Sequence, residues 1–312
     1  VRRKAFDIRT SSVLIGISIL FLSLYSRLQA EETKTSLTAP TSAKSSTLPT
    51  VVIGSQVDSG RSDWMVHQQD VGECACGPCA IFNAFEFGNS TLTNLAWSLP
   101  GATSADKVRD LISMYGGKRS SIAHDQPRYL ENGGMWDEDI APFINDWLRD
   151  VGFGPRVHGE RMILKRRETP QEQLDRVFRE LRHSLAAGFP PVVNLQSYAA
   201  SGNFSHYTWN WLDGHFVTVV AVQQADSDES GFSMWVADSQ SGHILKVSVC
   251  AGSSPFRAIT DKRVRNGKEI DQWTEGYPYL TIRSPKLEDI LEGDAALSHP
   301  QSVCVLQYVV HR

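Results

Sequence analysis

Apolar positions along the chain follow two rhythms, and the change from one to the other falls near residue 190. Before it the rhythm is helical. Behind Pro78, Ala80, Ile81, Ala84 and Phe85 make an apolar stripe at spacings of three and four. Val108, Leu111, Ile112 and Tyr115 share one face of a second segment, which Ser104 can cap. Ile140, Phe143, Ile144 and Trp147 do the same over Asp137–Asp150. The fullest signal covers Thr169 to Ala187, with Thr169 as N-cap, Pro170 in the first turn, Glu172 closing a capping box and Gly188 as the stop. Its stripe is Leu174, Val177, Phe178, Leu181 and Leu185.

After residue 190 the helical spacing disappears and short runs rich in β-branched residues take over. Pro191 to Leu195, His215 to Val222, Phe232 to Asp238, Ile244 to Val249 and Val303 to Val310 read as strands. His215 to Val222 is apolar almost throughout, as a strand buried on both faces should be. The polar stretch Asp226 to Gly231 joins it to the next strand as a hairpin. Ser253 to Pro300 carries no motif and reads as an insertion before the closing strand. A helical half followed by an antiparallel half predicts an α+β fold. No internal repeat is present, which excludes solenoids and propellers.

Composition adds limits. With 312 residues, 41% apolar and 21% charged, the chain is long enough for a full core, and a net charge of −4 gives no electrostatic reason to expect nucleic acid as a partner. Arg2, Arg3, Lys4 and Arg9 precede an apolar run from Val13 to Tyr25, and Leu28-Gln29-Ala30 leads into the acidic Glu31. A basic start, a short apolar core and a small residue are the parts of an export signal, and the run is shorter than the roughly 20 residues a membrane span needs. The expected organisation is a signal peptide over 1–30, a flexible Ser/Thr/Pro linker over 31–50 and one folded domain over 51–312. The expected location is periplasmic, cell-surface or extracellular. Membrane contact is expected only through an uncleaved leader, and the expected state is a monomer.

Five cysteines occur, Cys74, Cys76, Cys79, Cys250 and Cys304, and an odd count in an oxidising compartment leaves one thiol free. Cys76 is followed by Gly77-Pro78 and the first helical stripe. Thiols react as thiolates, and a helix N-terminus and an adjacent imidazolium both favour that form. Gly77 would let backbone approach the reacting carbon, and Pro78 sets the first turn. A glutamine upstream, Gln69 or Gln68, can donate its amide to a developing oxyanion beside the cysteine's own N–H. For the base, Gly214-His215-Phe216 stands at the head of the buried strand. Asp238 ends the next strand, where a neighbouring antiparallel pair can bring carboxylate and imidazole together.

Cys76-Gly77-Pro78-Cys79-Ala80 resembles the CGPxA nucleophile motif of the C39-like peptidases of the papain-like superfamily. The order that follows, a Gly-Phe-Pro strand at Gly188, a Gly-His-Phe strand at His215 and an Asp at position 238, is similar too. The resemblance covers about residues 60 to 250. It implies a papain-like fold, with a helical lobe carrying Cys76 and a mostly antiparallel sheet carrying His215 and Asp238. It implies an exported cysteine peptidase hydrolysing peptide or protein substrates through a thioacyl intermediate, without a cofactor or catalytic metal. Papain's own motif resembles Cys-Gly-Ser-Cys-Trp and would select Cys79, which puts Glu73 rather than a glutamine six residues upstream. A strict spacing of six from Gln68 would select Cys74. An acyltransferase of phytochelatin-synthase-like or transglutaminase-like type, or a non-catalytic peptide-binding module, shares the same order of residues.

Other readings of the same residues remain. Cys74, Cys76 and Cys79 with His67 could hold zinc. Cys74 could pair with Cys79, and Cys250 with Cys304. The aromatic segment Phe204, His206, Tyr207, Trp209 and Trp211 could line a cleft or cover a core.

Overall fold

The computed structural model describes residues 51–52, 65–154, 157–165, 167–201, 208–224, 231–251, 256–265, 268–276, 280–292 and 302–312. The leader over 1–30, the linker over 31–50 and the segment with Phe204, His206 and Tyr207 lie outside these residues. The described residues belong to one compact unit, Thr47–Arg312.

In chain order the elements are β1 (Val51–Val52), α1 (Cys76–Glu86), α2 (Ser90–Trp97), α3 (Ser104–Leu111), β2 (Tyr129–Leu130), β3 (Gly134–Met135), α4 (Asp137–Asp150), β4 (His158–Arg161), α5 (Pro170–Ala186), β5 (Val192–Ser201), β6 (Thr208–Gln224), β7 (Phe232–Asp238), β8 (His243–Ala251), β9 (Phe256–Arg265), β10 (Lys268–Gly276), β11 (Leu280–Arg283), α6 (Pro285–Glu292) and β12 (Ser302–His311). Helix ends follow from local chemistry. Thr169 and Glu172 form the capping box of α5, and Gly188, at φ +78°, adopts the left-handed conformation that follows the helix. Thr103, not Ser104, caps α3, because Asp106 completes a capping box with it. The helix α2 was not read from the sequence. Only Leu92 and Ala96 on it are buried, too few for a visible stripe, and Asn89 starts it by accepting from the Leu92 N–H at 3.1 Å.

Six strands form a closed ring in the order β5–β6–β7–β8–β11–β12 and back to β5, every contact antiparallel. Closure leaves none of these six strands at a sheet edge. Register brings apolar residues together around the ring: Val193 opposite Val217, Val219 opposite Val236, Val236 opposite Leu245, Ile282 opposite Val249 and Leu306 opposite Leu195. Bulges in the ladders at Ser197/Tyr198 and Val219/Ala221 help the sheet curl. These strands share one buried cluster with Leu174, Val177, Leu181 and Leu185 of α5 and with Leu287 and Leu291 of α6. A second cluster joins α1 to α4, with Phe216 and Tyr308 of the barrel. In it Phe85 stacks on Trp147 at 3.9 Å between centroids, a contact of the kind whose truncation costs about 3–5 kcal/mol.

This corrects the expected architecture. The chain does not adopt a papain-like pair of lobes, one helical and one a sheet. It is a mixed α/β fold in which six antiparallel strands close into a barrel and six α-helices accompany it among the described residues. The strand that completes the ring is β11, which lies inside the stretch read as an insertion. The helical part is also not separate: the Thr218 hydroxyl of β6 donates to the Ala80 carbonyl of α1 at 2.7 Å, in a buried contact.

Candidate active site

Cys76 is the first residue of α1, and its N-cap, Ala75, makes no side-chain cap. The first-turn N–H groups therefore keep their partial positive charge beside the Cys76 sulfur. Cys76 is half-buried, Cys74 is half-buried in the preceding turn, and Cys79 is fully buried in the core. Gly77 also serves packing. A Cβ there would come within 3.3 Å of Met135 and Ile140, so the bare glycine lets α1 seat against β3 and α4.

His215 is buried within β6 rather than at its head, since that strand starts at Thr208. Asp238 is the last residue of β7 and wholly buried. The two meet, with His215 Nε2 2.6 Å from Asp238 Oδ1, and the Cys76 thiol also bears on the imidazole. The carboxylate is itself fixed by the turn after β7: the Gln240 N–H donates to Oδ1 and the Ser241 N–H to Oδ2, each at 3.0 Å. Gly242, at φ +69°, supplies the left-handed residue that turn requires, and its N–H donates to the Asp238 carbonyl at 2.9 Å.

Electrostatics follow from this geometry. Burial disfavours a charged imidazole, but Asp238 and the Cys76 sulfur outweigh it and carry His215 up to about 10. Burial also opposes charge on Asp238, and His215 with the Ser241 and Gln240 donors holds it down at about 2. The pair is thus an imidazolium and a carboxylate across the neutral range. The other thiols of the segment are less suited to attack: burial, then nearby Cys76, Glu73 and Asp213, raises Cys74, and burial pushes Cys79 well up.

The two glutamines part company. Gln68 is buried in a short turn of 3-10 helix, Gln68–Asp70. Its N–H donates to the Ser239 carbonyl at 2.9 Å, and its side-chain amide donates to the Glu73 carbonyl. Gln69, the residue favoured by spacing, is exposed. An amide NH₂ has two protons, so Gln68 keeps one to offer after Glu73 is served. Counting residues cannot separate adjacent glutamines when turns at Gly72 and Ala75 take up the intervening chain.

Three contacts hold the parts together: Thr218 to Ala80, the Val66 N–H to Asn83 Oδ1 at 3.2 Å, and Gln68 to Ser239. The first ties the cysteine helix to the histidine strand. Thr218→Val keeps the shape and removes the tie. It should destabilise the fold by about 1 kcal/mol and slow iodoacetamide labelling of Cys76. The same slip of sulfur against imidazole should lower kcat by up to about 10²-fold with KM little changed. A variant with full kcat and full labelling rate would show that packing alone sets the distance.

The other expectations resolve as follows. All five cysteines are free. Cys250 on β8 pairs with Thr281 of β11, and β11 separates β8 from β12, which carries Cys304. Strands two apart lie about 9–10 Å from each other, beyond the roughly 7 Å limit for a disulfide. Cys304 instead contacts the Glu292 carboxylate at 3.5 Å, and burial pushes its thiol up. Trp209 packs against Tyr198 and Val305, while Trp211 on the same strand is exposed. Among the described residues the cysteine trio with His67 does not form a metal-ligand group. Glu160, Glu180 and His311 do approach one another, but Arg176 lies 3.2 Å from Glu160 and 3.8 Å from Glu180, and Lys165 lies 2.7 Å from Glu160. Side-chain cations already neutralise that group. No described helix is long and apolar enough to cross a membrane.

No family model, curated protein or solved structure matches this chain. The resemblance to C39-like peptidases therefore rests on the residues around Cys76, His215 and Asp238.

Proposed function

We propose that the chain is an exported cysteine peptidase acting on peptide or protein substrates. One observation carries the reading: a buried imidazole 2.6 Å from a buried carboxylate also interacts with the thiol of Cys76, the first residue of a helix. Cys76 Sγ attacks the scissile carbonyl carbon, and the carbonyl oxygen takes the electron pair. The Cys76 N–H and the Gln68 amide stabilise that oxyanion. His215 passes its proton to the leaving amine as the C–N bond breaks, leaving a thioester on Cys76. Water then attacks the thioester, His215 accepts its proton, and the acid is released. Asp238 keeps the ring oriented throughout and stabilises its charged form before the first step and after the last.

The test is digestion of a peptide library by the purified chain and by Cys76→Ala, with and without an added amine acceptor. Cleavage by the wild type alone, with water as the acceptor, supports the peptidase reading. Transfer to the amine in preference to water would replace it with acyl transfer. No turnover, together with Cys76 labelling no faster than a free cysteine, would leave a peptide-binding module. Export through the basic leader belongs to the same proposal. Material recovered outside the cell should begin near Glu31, and a start at Val1 or Arg2 would make the leader an anchor.

A further inference from the structure

Cys79 has no part in the hydrolysis scheme, yet it stands one helical turn from the nucleophile. Both cysteines lie in the first residues of α1, separated by Gly77-Pro78. Cys79 belongs to the apolar cluster against which Cys76 packs, so one thiol is partly exposed and the other lies in the core. Helical Cα atoms three residues apart are about 5 Å from each other, inside the window for a disulfide. Their Cβ atoms share a face at about 5–6 Å and must close by about 1–1.5 Å to bond. The first turn is the part of a helix most able to give that much. Its leading N–H groups are outside the hydrogen-bond ladder, Gly77 has no side chain, and Pro78 has no N–H to lose.

Cys74 is the rival partner and is worse placed. It lies outside the helix, and its carbonyl and Cβ pack toward Gly134, where an added Cβ would meet them at 3.3 and 3.8 Å. Residues two apart also do not share a helix face.

We propose that Cys76 and Cys79 form a reversible dithiol–disulfide site, oxidised by low-molecular-weight disulfides, which withdraws the nucleophile when closed. Cys76 thiolate attacks one sulfur of R–S–S–R, forming a mixed disulfide and releasing RS⁻. Cys79 loses its proton to that thiolate and attacks Cys76 Sγ, forming the internal disulfide and expelling the second RS⁻, which takes a proton from water. The net change oxidises two protein thiols and reduces one small disulfide to two thiols. The order is fixed by access: Cys79 is buried and its thiol is held up by that burial, so it acts only once the mixed disulfide is formed beside it.

The inference concerns the thiols alone and does not require the peptidase reading, so its test reads thiol chemistry rather than turnover. The full chain is equilibrated with mixtures of oxidised and reduced glutathione, quenched in acid and mapped by mass spectrometry. Wild type and Cys74→Ser should both show a Cys76–Cys79 bridge with loss of two hydrogens and no lasting glutathione adduct. Iodoacetamide labelling of Cys76 should fall about tenfold or more and return with dithiothreitol. Cys79→Ser should stop at the glutathione adduct on Cys76. A Cys74–Cys76 bridge, a lasting adduct in the wild type, or no change at Cys76 would each overturn the proposal. The wild-type and Cys74→Ser maps decide the matter even if Cys79→Ser folds poorly.

Discussion

Cys76→Ala is expected to reduce peptide hydrolysis by about 10⁶-fold, to the level left when a nucleophile of this class is removed. The fold should survive. Alanine is the best helix former, and position 76 is half-buried at the first turn, so the change in stability should stay within about 1 kcal/mol. His215→Ala should lose nearly as much activity, because sulfur activation and amine protonation both depend on it. It should also destabilise the chain, since the buried Asp238 carboxylate would lose its cation and keep only two backbone donors; breaking a buried pair in this way costs about 3–5 kcal/mol. Cys79→Ala removes one buried sulfur from the core and should leave hydrolysis intact. Steady-state kinetics on the three variants, with circular dichroism and a denaturant midpoint for each, give the comparison. Loss of activity in Cys79→Ala with activity kept in Cys76→Ala would transfer the nucleophile to the second cysteine.

Local chemistry was legible wherever a few adjacent residues decide the outcome. The capping box of Thr169 and Glu172 and the positive-φ Gly188 bound α5 within a residue of the expected span, and the stripe from Ile140 to Trp147 places α4 at Asp137–Asp150. The strand ending in Asp238 was equally visible, and its pairing with β6 makes the Asp238–His215 contact available. What could not be read depends on partners far along the chain. Ring closure needs β11, a strand of four residues with too short an alternation to register as one. The β6 strand continues upstream of Gly214 because β5 pairs with it as far as Thr208. That contact cannot be inferred from a run containing Asp213 and Gly214, two poor strand formers. The choice of Gln68 over Gln69 rests on a backbone hydrogen bond to Ser239, more than 170 residues downstream in the sequence. Motifs pointed to Cys76, His215 and Asp238, and tertiary pairing decided which neighbours surround them.

The largest effect on pH dependence is expected at Asp238. His215 is raised from 6.5 to about 10 and Asp238 is lowered from 3.8 to about 2. The stability that the raised histidine contributes is fully present below its unfolded value and is lost as pH rises through the folded one. The depressed aspartate contributes fully above its unfolded value, and that contribution is lost as pH falls through the folded one. The pair therefore supports the fold most between about 4 and 6.5, weakens from there toward alkaline pH, and fails near the acid extreme. Activity should follow the charged imidazole, with an alkaline limb set by His215. Asp238→Asn retains an oxygen for His215 Nε2 and for the Gln240 N–H but turns an amide NH₂ toward the Ser241 N–H, a donor facing a donor. The ring stays oriented while the negative charge is lost. The rate near pH 6 should fall by only about tenfold, and the alkaline limb should move to lower pH, because burial is then left to favour the neutral ring. Asp238→Ala removes orientation as well and should cost about 10²-fold or more across the range. Profiles of kcat/KM against pH for the wild type and both variants make the comparison. An alanine variant with wild-type rates and an unmoved limb would mean that the carboxylate neither orients nor charges His215, and the triad would reduce to a Cys76–His215 dyad.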